Sequence, residues 1–390
     1  MKALRYPKFD QMLQEAIRLF LYIFAVAMPF SIATTQISVT LAILSWLARL
    51  LVTRGTRIRK VQLEWPLLIF IVAMAVALPT SGNVSQSIVF FFKRVLLLPI
   101  VYLLANNVAD KAFFRRLVLL FIAAIALYSL WGIVGYFSNP TVRVRHIQNS
   151  MTTGGITMIG ALAAFAGAAF ATKRNLRLAA LIAGILNTVC LILTSTRGSW
   201  LGFFAGVLLL LFYYNKKWLI ALPLLAISFG ILGPQNFAHR VRHFFDPTWG
   251  TNAKRLAWWQ TGMEIFKDHP VIGVGDMSMQ EIYQKYAPPG TTELIGHFHS
   301  NYVHIAVAMG IVGLAAFLGL MVSVLIKLLR TARSRPLEPI FRLWAVVSAA
   351  ICVAFNINGF FEWNFGDAEI ITMVWFVVGL SCAIPLISQD

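Results

Sequence analysis

Along the chain, apolar runs of about 20 residues alternate with short polar interruptions, from LFLYIFAVAMPF at residues 19–30 to the run that closes near Leu386. A helix needs about that many apolar residues to cross a bilayer, because hydrocarbon offers backbone N–H and C=O groups no partner except the helix itself. The pattern predicts roughly a dozen spans, near 16–33, 36–53, 65–80, 87–105, 113–137, 154–172, 177–194, 199–214, 217–233, 302–328, 341–360 and 368–387. The expected fold is therefore an all-α integral membrane protein, one polytopic domain over residues 1–390. The first span follows a positively charged amphipathic tail without a convincing cleavage site, and reads as an uncleaved anchor.

One long polar stretch breaks the rhythm, residues 234–301 between spans 9 and 10. Loops of that size inside a compact protein usually carry function or are disordered. Within it RLAWWQTGMEIFK, residues 255–267, has apolar side chains at helical spacing, and DHPVIGVG, residues 268–275, has Pro and Gly at turn positions. Short helices lying against the outer surface of the bundle are expected there.

Composition removes the soluble alternative: 59% of residues are hydrophobic, 12% are charged and the mean hydropathy is +0.75, too little polar surface to cover a globule in water. The formal charge of +18 would suggest nucleic acid if it formed a patch, but it alternates with the spans. Lys2, Arg5 and Lys8 precede span 1, and Arg54, Arg57, Arg59 and Lys60 follow span 2. Lys111, Arg115 and Arg116 lie between spans 4 and 5; Lys173, Arg174 and Arg177 between 6 and 7; Lys216 and Lys217 between 8 and 9; Arg330, Arg333, Arg335 and Arg342 between 10 and 11. The positive-inside rule places these connections and both termini in the cytoplasm and the 234–301 loop outside.

Basic residues on the outer side run against that rule and need a local reason: Arg143, Arg145, Arg197, Arg240, Arg242, Lys254 and Arg255. All seven histidines, at 146, 239, 243, 269, 297, 299 and 304, fall on the same side. Any chemistry is expected to be external. Cys190, Cys352 and Cys382 lie within spans and read as apolar packers. Gly198, Gly202 and Gly206 repeat every four residues along span 8, a spacing that lets a neighbouring helix approach closely.

Arg197 occurs in TSTRGSW at the tight outer turn between spans 7 and 8, and Arg255 in KRLAWW. A guanidinium there is costly unless it meets an anion, and its fork fits phosphate oxygens. Two such residues converging would suit a diphosphate; snorkelling to lipid phosphates, or pairing with a carboxylate such as Asp246, is the structural alternative. Lys93 and Arg94 sit about two turns inside span 4 and either extend a phosphate site inward or pair with Glu362 or Asp367. Trp249, Trp258 and Trp259 could stack on sugar rings, or anchor the loop at the interface as tryptophan commonly does.

The three histidines of HFHSNYVHIAVAMGIVGL, residues 297–314, remain. His297, His299 and His304 are spaced two and five apart, which suits neither one helical face nor a common zinc motif. They either cap span 10 or supply a general base, since neutral imidazole accepts a proton near pH 7.

His299-Ser300, followed after nine residues by Gly310-Ile311-Val312-Gly313-Leu314, resembles the signature of the O-antigen ligase family (WaaL type). The likeness extends to the dozen spans, the large loop between spans 9 and 10, the arginine of the TSTRG turn and the basic helix in the loop. The resemblance implies a GT-C-type membrane fold in the inner membrane of a Gram-negative bacterium, with its active site in the periplasm. It implies inverting transfer of a glycan from undecaprenyl diphosphate to a sugar hydroxyl of lipid A-core, without metal, nucleotide or other cofactor. His299 would be the base; Arg197 and Arg255, extended by Lys93 and Arg94, would bind the diphosphate; His297, His304, Trp258 and Trp259 would shape the pocket. An O-antigen polymerase, a protein O-oligosaccharyltransferase and a non-enzymatic lipid-linked glycan transporter are the other readings. The transporter needs no base.

Overall fold

The computed structural model describes residues 7–53, 58–138, 143–144, 148–171, 173–220, 222–224, 227, 243, 246–291, 293 and 295–387. Their regular structure is helical: α1 (Pro7–Ala27), α2 (Ile32–Thr53), α3 (Glu64–Ala77), α4 (Val84–Val95), α5 (Pro99–Asn107), α6 (Lys111–Ser138), α7 (Ser150–Phe170), α8 (Arg174–Leu193), α9 (Arg197–Tyr214), α10 (Gly250–Asp268), α11 (Gln280–Tyr286), α12 (Asn301–Arg333), α13 (Pro339–Asn358) and α14 (Ala368–Ile387).

Among the described residues, eight spans are long and apolar enough to cross a membrane: α2, α4 with α5, α6, α8, α9, α12, α13 and α14. This is fewer than the dozen expected. Helix α1 carries Asp10, Glu15 and Arg18, which lower its hydropathy, and the apolar parts of the third and sixth expected spans, Glu64–Thr80 and Ser150–Phe165, are shorter. The ninth expected span, 217–233, lies mostly outside the described residues, as do Arg145, Arg240, Arg242, His146 and His239. The fourth span is interrupted: α4 ends at Val95, and Pro99, which cannot donate a backbone hydrogen bond, opens α5.

Helix α14 is apolar around its whole circumference and packs centrally against α5 and α13, as such a helix must. Around it α1 lies on α2, α7 on α8 and α13, α9 on α13, and α12 on α3 and α13. The outward faces of α6 and α8 expose Leu119, Leu127, Leu130, Leu178, Ile182 and Ile185, the surface expected against lipid. The glycine spacing in α9 is a packing face: a Cβ on Gly202 would lie 2.5 Å from the Ala354 carbonyl oxygen of α13. Cys190, Cys352 and Cys382 are buried free thiols.

Helix α12 is not one continuous rod. Gly310 has φ 63° and ψ −163°, which ends one helical segment and starts another. The 270–275 stretch of the long loop is laid into this break. Val274 N–H donates to Val307 O at 3.0 Å and Gly275 N–H to Ala308 O at 2.9 Å, while Ile311 N–H donates to Pro270 O at 2.8 Å and Val312 N–H to Val271 O at 3.2 Å. Backbone groups freed by the break are thereby paired within the protein, the condition for tolerating irregular chain in a membrane protein. Gly310 turns the chain where no side chain fits, since a Cβ there would lie 2.3 Å from Val271 C and O.

Candidate functional site

The HFHS segment is held at one end of the bundle by three elements. Ser300 caps α12, its hydroxyl accepting from Val303 N–H at 3.4 Å. Asn301 ties this start to the α13–α14 connection: its N–H donates to Gly359 O at 2.7 Å, and its Oδ1 accepts from Phe365 N–H at 3.0 Å. From the loop, α10 contributes Trp259, whose Nε1 donates to Phe298 O at 3.0 Å, and Trp258, whose ring stacks on His299 at 4.8 Å. The two tryptophans thus seat the histidine segment.

His299 has φ 47°, a left-handed backbone unusual for a residue with a side chain. Its Nδ1 lies 3.0 Å from Glu362 Oε1, and its backbone N–H donates to His297 Nδ1 at 3.3 Å. Arg255 Nη2 approaches Glu362 Oε2 at 3.8 Å, beyond hydrogen-bond length, and both Arg255 Nε and Glu362 Oε2 are buried without a hydrogen-bond partner. Burial works against charging Glu362, but the His299 hydrogen bond and the nearby charge of Arg255 outweigh it and hold this carboxyl below its ordinary pKa. An ionised Glu362 accepts a hydrogen bond from His299 Nδ1–H, which orients the ring.

Burial, and then the neighbouring His299, push His297 down to about 4, so it is neutral at pH 7. The unfolded chain therefore binds the His297 proton below its ordinary value of 6.5 while the fold resists it. Stability is expected to fall as pH drops from about 6.5 toward 4. Melting temperatures of the intact protein and His297→Asn across that window check this; the slope should be shallower in the variant, whose amide oxygen still accepts from His299 N–H. Equal slopes would remove His297 as the cause.

The remaining sequence candidates fall into different surroundings. Arg197 is only 9% exposed. Its guanidinium donates to His243 O at 3.2 Å and Thr251 Oγ1 at 3.0 Å, bonds Asn252 Oδ1 and lies 4.6 Å from the Trp249 ring centroid. It clamps the start of α9 to the entry of α10. Asp246, its suggested partner, pairs with His243 at 3.0 Å instead. Lys93 is exposed beside Phe90. Arg94 turns inward to Asp276, 2.6 Å away, not to Glu362 or Asp367. Asp276 also meets His304 Nε2 at 3.3 Å, and Trp363 is sandwiched between His304, 3.9 Å away, and the Arg94 guanidinium, 5.0 Å away. His304, 2% exposed, belongs to this buried ion pair behind the site.

His297, His299 and Glu362 line a cavity of about 680 Å³ together with Arg143, Asn149, Thr152, Asp367 and Glu369. The two imidazoles and Glu362 each offer a ligand atom, all within 4.8 Å of one another, a grouping that could hold a metal ion. Histidine spacing alone did not disclose it, because the third group arrives from a connection more than 60 positions away. The acidic residues Glu362, Asp276, Asp367 and Glu369 are the functional candidates that sequence reading underweighted. Their one legible signal was that carboxylates are scarce, with 15 in the chain against 33 basic residues.

The fold and the site define a helical membrane protein with a histidine–carboxylate pair in a cavity at one end of its bundle. Residues 182–318 match the family model described as O-antigen ligase, the family that the histidine motif resembles. The match runs from α8 into α12 and contains Arg197, Arg255 and His299. Comparison with the curated proteins finds no match.

Proposed function

We propose that the chain is an inverting membrane glycosyltransferase, moving a glycan from undecaprenyl diphosphate to a sugar hydroxyl of lipid A-core on the periplasmic face of the inner membrane. The observation that carries this reading is the His299–Glu362 pair, at 3.0 Å on the wall of the cavity, inside an O-antigen ligase match. Glu362 keeps the His299 Nδ1 proton in place. Nε2 takes the proton from the acceptor hydroxyl as its oxygen attacks the anomeric carbon. The carbon–oxygen bond to the diphosphate breaks in the same displacement, so the configuration inverts and undecaprenyl diphosphate leaves. Arg255, short of a hydrogen bond to Glu362 and with a bare Nε, supplies cationic donors for the growing negative charge. Arg197 holds the loop that carries Arg255, with its own fork satisfied by that loop.

The test is transfer by the purified protein from an undecaprenyl diphosphate glycan, with lipid A-core and a second undecaprenyl-linked glycan offered separately as acceptors. Product on lipid A-core supports a ligase; product only on the lipid-linked glycan makes the protein a polymerase. Unchanged transfer in chelator supports a reaction that needs no metal, whereas loss restored by a divalent ion would assign His297, His299 and Glu362 to it. Arg255→Ala is expected to lower kcat/KM for the donor by about 10²-fold, with Arg255→Lys recovering part, since an ammonium lacks the planar fork. Equal donor kinetics in both variants would take Arg255 out of the diphosphate site.

A further inference from the structure

The cavity wall beyond His299 and Glu362 is built from Asp367 and Glu369, at the start of α14. Glu369 is 8% exposed. Asp367 Oδ2 accepts from the Thr152 hydroxyl at 2.5 Å, while its Oδ1 is buried with no hydrogen-bond partner. Asp367 occupies the capping position of α14, its carbonyl accepting from Ile371 N–H at 3.1 Å. A structural cap would turn Oδ1 to the backbone N–H groups of the first turn. It does not, and Glu362, which also lines this cavity, has a second buried carboxyl oxygen without a hydrogen bond, 3.8 Å from Arg255 Nη2. Buried acceptors left bare are costly unless a ligand supplies the donors.

We propose that Asp367 and Glu369 form a sugar-hydroxyl subsite, on which the acceptor glycan lays neighbouring hydroxyls while His299 meets the hydroxyl that reacts. The assignment rests on the glycosyl-transfer reading above and adds the side from which the acceptor enters. Two carboxyls repel a diphosphate, so this wall suits an uncharged polyol. Burial, and then the adjoining Glu369, hold the Asp367 carboxyl well above its ordinary pKa. A protonated Asp367 gives one donor among several acceptors, the mixture that alternating hydroxyl donors and acceptors require, and it weakens this wall as a ligand for a divalent ion.

The test uses the intact chain in lipid nanodiscs with delipidated core oligosaccharide as the probe. Glu369→Gln, which keeps size and removes charge, is expected to weaken binding of the oligosaccharide in the absence of donor by about tenfold or more. It should raise the acceptor KM by a similar factor and leave the donor KM unchanged. Asp367→Asn, compared at matched melting temperature, should act in the same direction and guards against a folding defect in either variant. Unchanged oligosaccharide binding, or equal rises in both KM values, would overturn the subsite. So would a Ca²⁺ or Mn²⁺ site in the intact protein that Glu369→Gln abolishes without touching oligosaccharide binding. If the intact protein shows no transfer but binds the oligosaccharide through Glu369, the transfer reading fails and the subsite stands.

Discussion

Transfer by His299→Ala is expected to fall by roughly 10²–10⁴-fold, with donor binding and membrane abundance unchanged. The expectation follows from the Nδ1 contact to Glu362 at 3.0 Å, which leaves the other ring nitrogen for the proposed base. Glu362→Gln is the more discriminating variant. Its amide can present a donor to Nδ1, favouring the tautomer with the proton on Nε2 and leaving no base where one is needed. If the dyad acts as a unit, the double variant is little worse than His299→Ala alone. Single-turnover transfer with bound donor separates chemistry from binding; preserved turnover in His299→Ala would end the assignment of a base.

The second large effect is structural. Gly310→Ala places a Cβ 2.3 Å from Val271 C and O, at a φ of 63° that alanine resists. Neither partner is a mobile side-chain tip; both are backbone of the loop segment laid into the helix break. The expected loss is about 3 kcal/mol or more, seen as a lower melting temperature or as failure to recover monodisperse protein. Gly319→Ala, in the same helix with no atom within 4 Å of its added Cβ, is expected to be neutral or slightly stabilising. Similar melting of Gly310→Ala and the parent would mean that α12 can run through unbroken.

The spans were legible because hydrocarbon imposes a run length, and α2, α6, α8, α13 and α14 fall where apolar runs place them. The interruptions were harder to read. Pro99 signals the break between α4 and α5, but a GxxG pattern in an apolar run has two meanings, close helix packing or a turn in the chain. Choosing between them requires knowing that Val271 and Ile272 occupy the gap. Likewise, His299 stood out for its residue type and setting, while its orienting partner lay in FEWNFGDAE, with no periodicity to tie the two together. Arg94 shows the same limit: an intramembrane charge announces that a partner exists, yet its partner, Asp276, comes from the loop and not from the outer connection at Glu362 and Asp367. Charge type is local information; pairing is a property of the fold.

The interrupted helix also separates two jobs that a straight rod would have to share. Ile311 to Arg333 is roughly 34 Å of helix, enough by itself to bridge the hydrocarbon layer. The preceding segment, from Asn301 to Met309, is then free of bilayer thickness as a constraint. A membrane that thins or thickens can tilt the 311–333 part without setting the height of His299, whose position is governed by its hydrogen bond to Glu362 and by the Trp258 ring stacked on it.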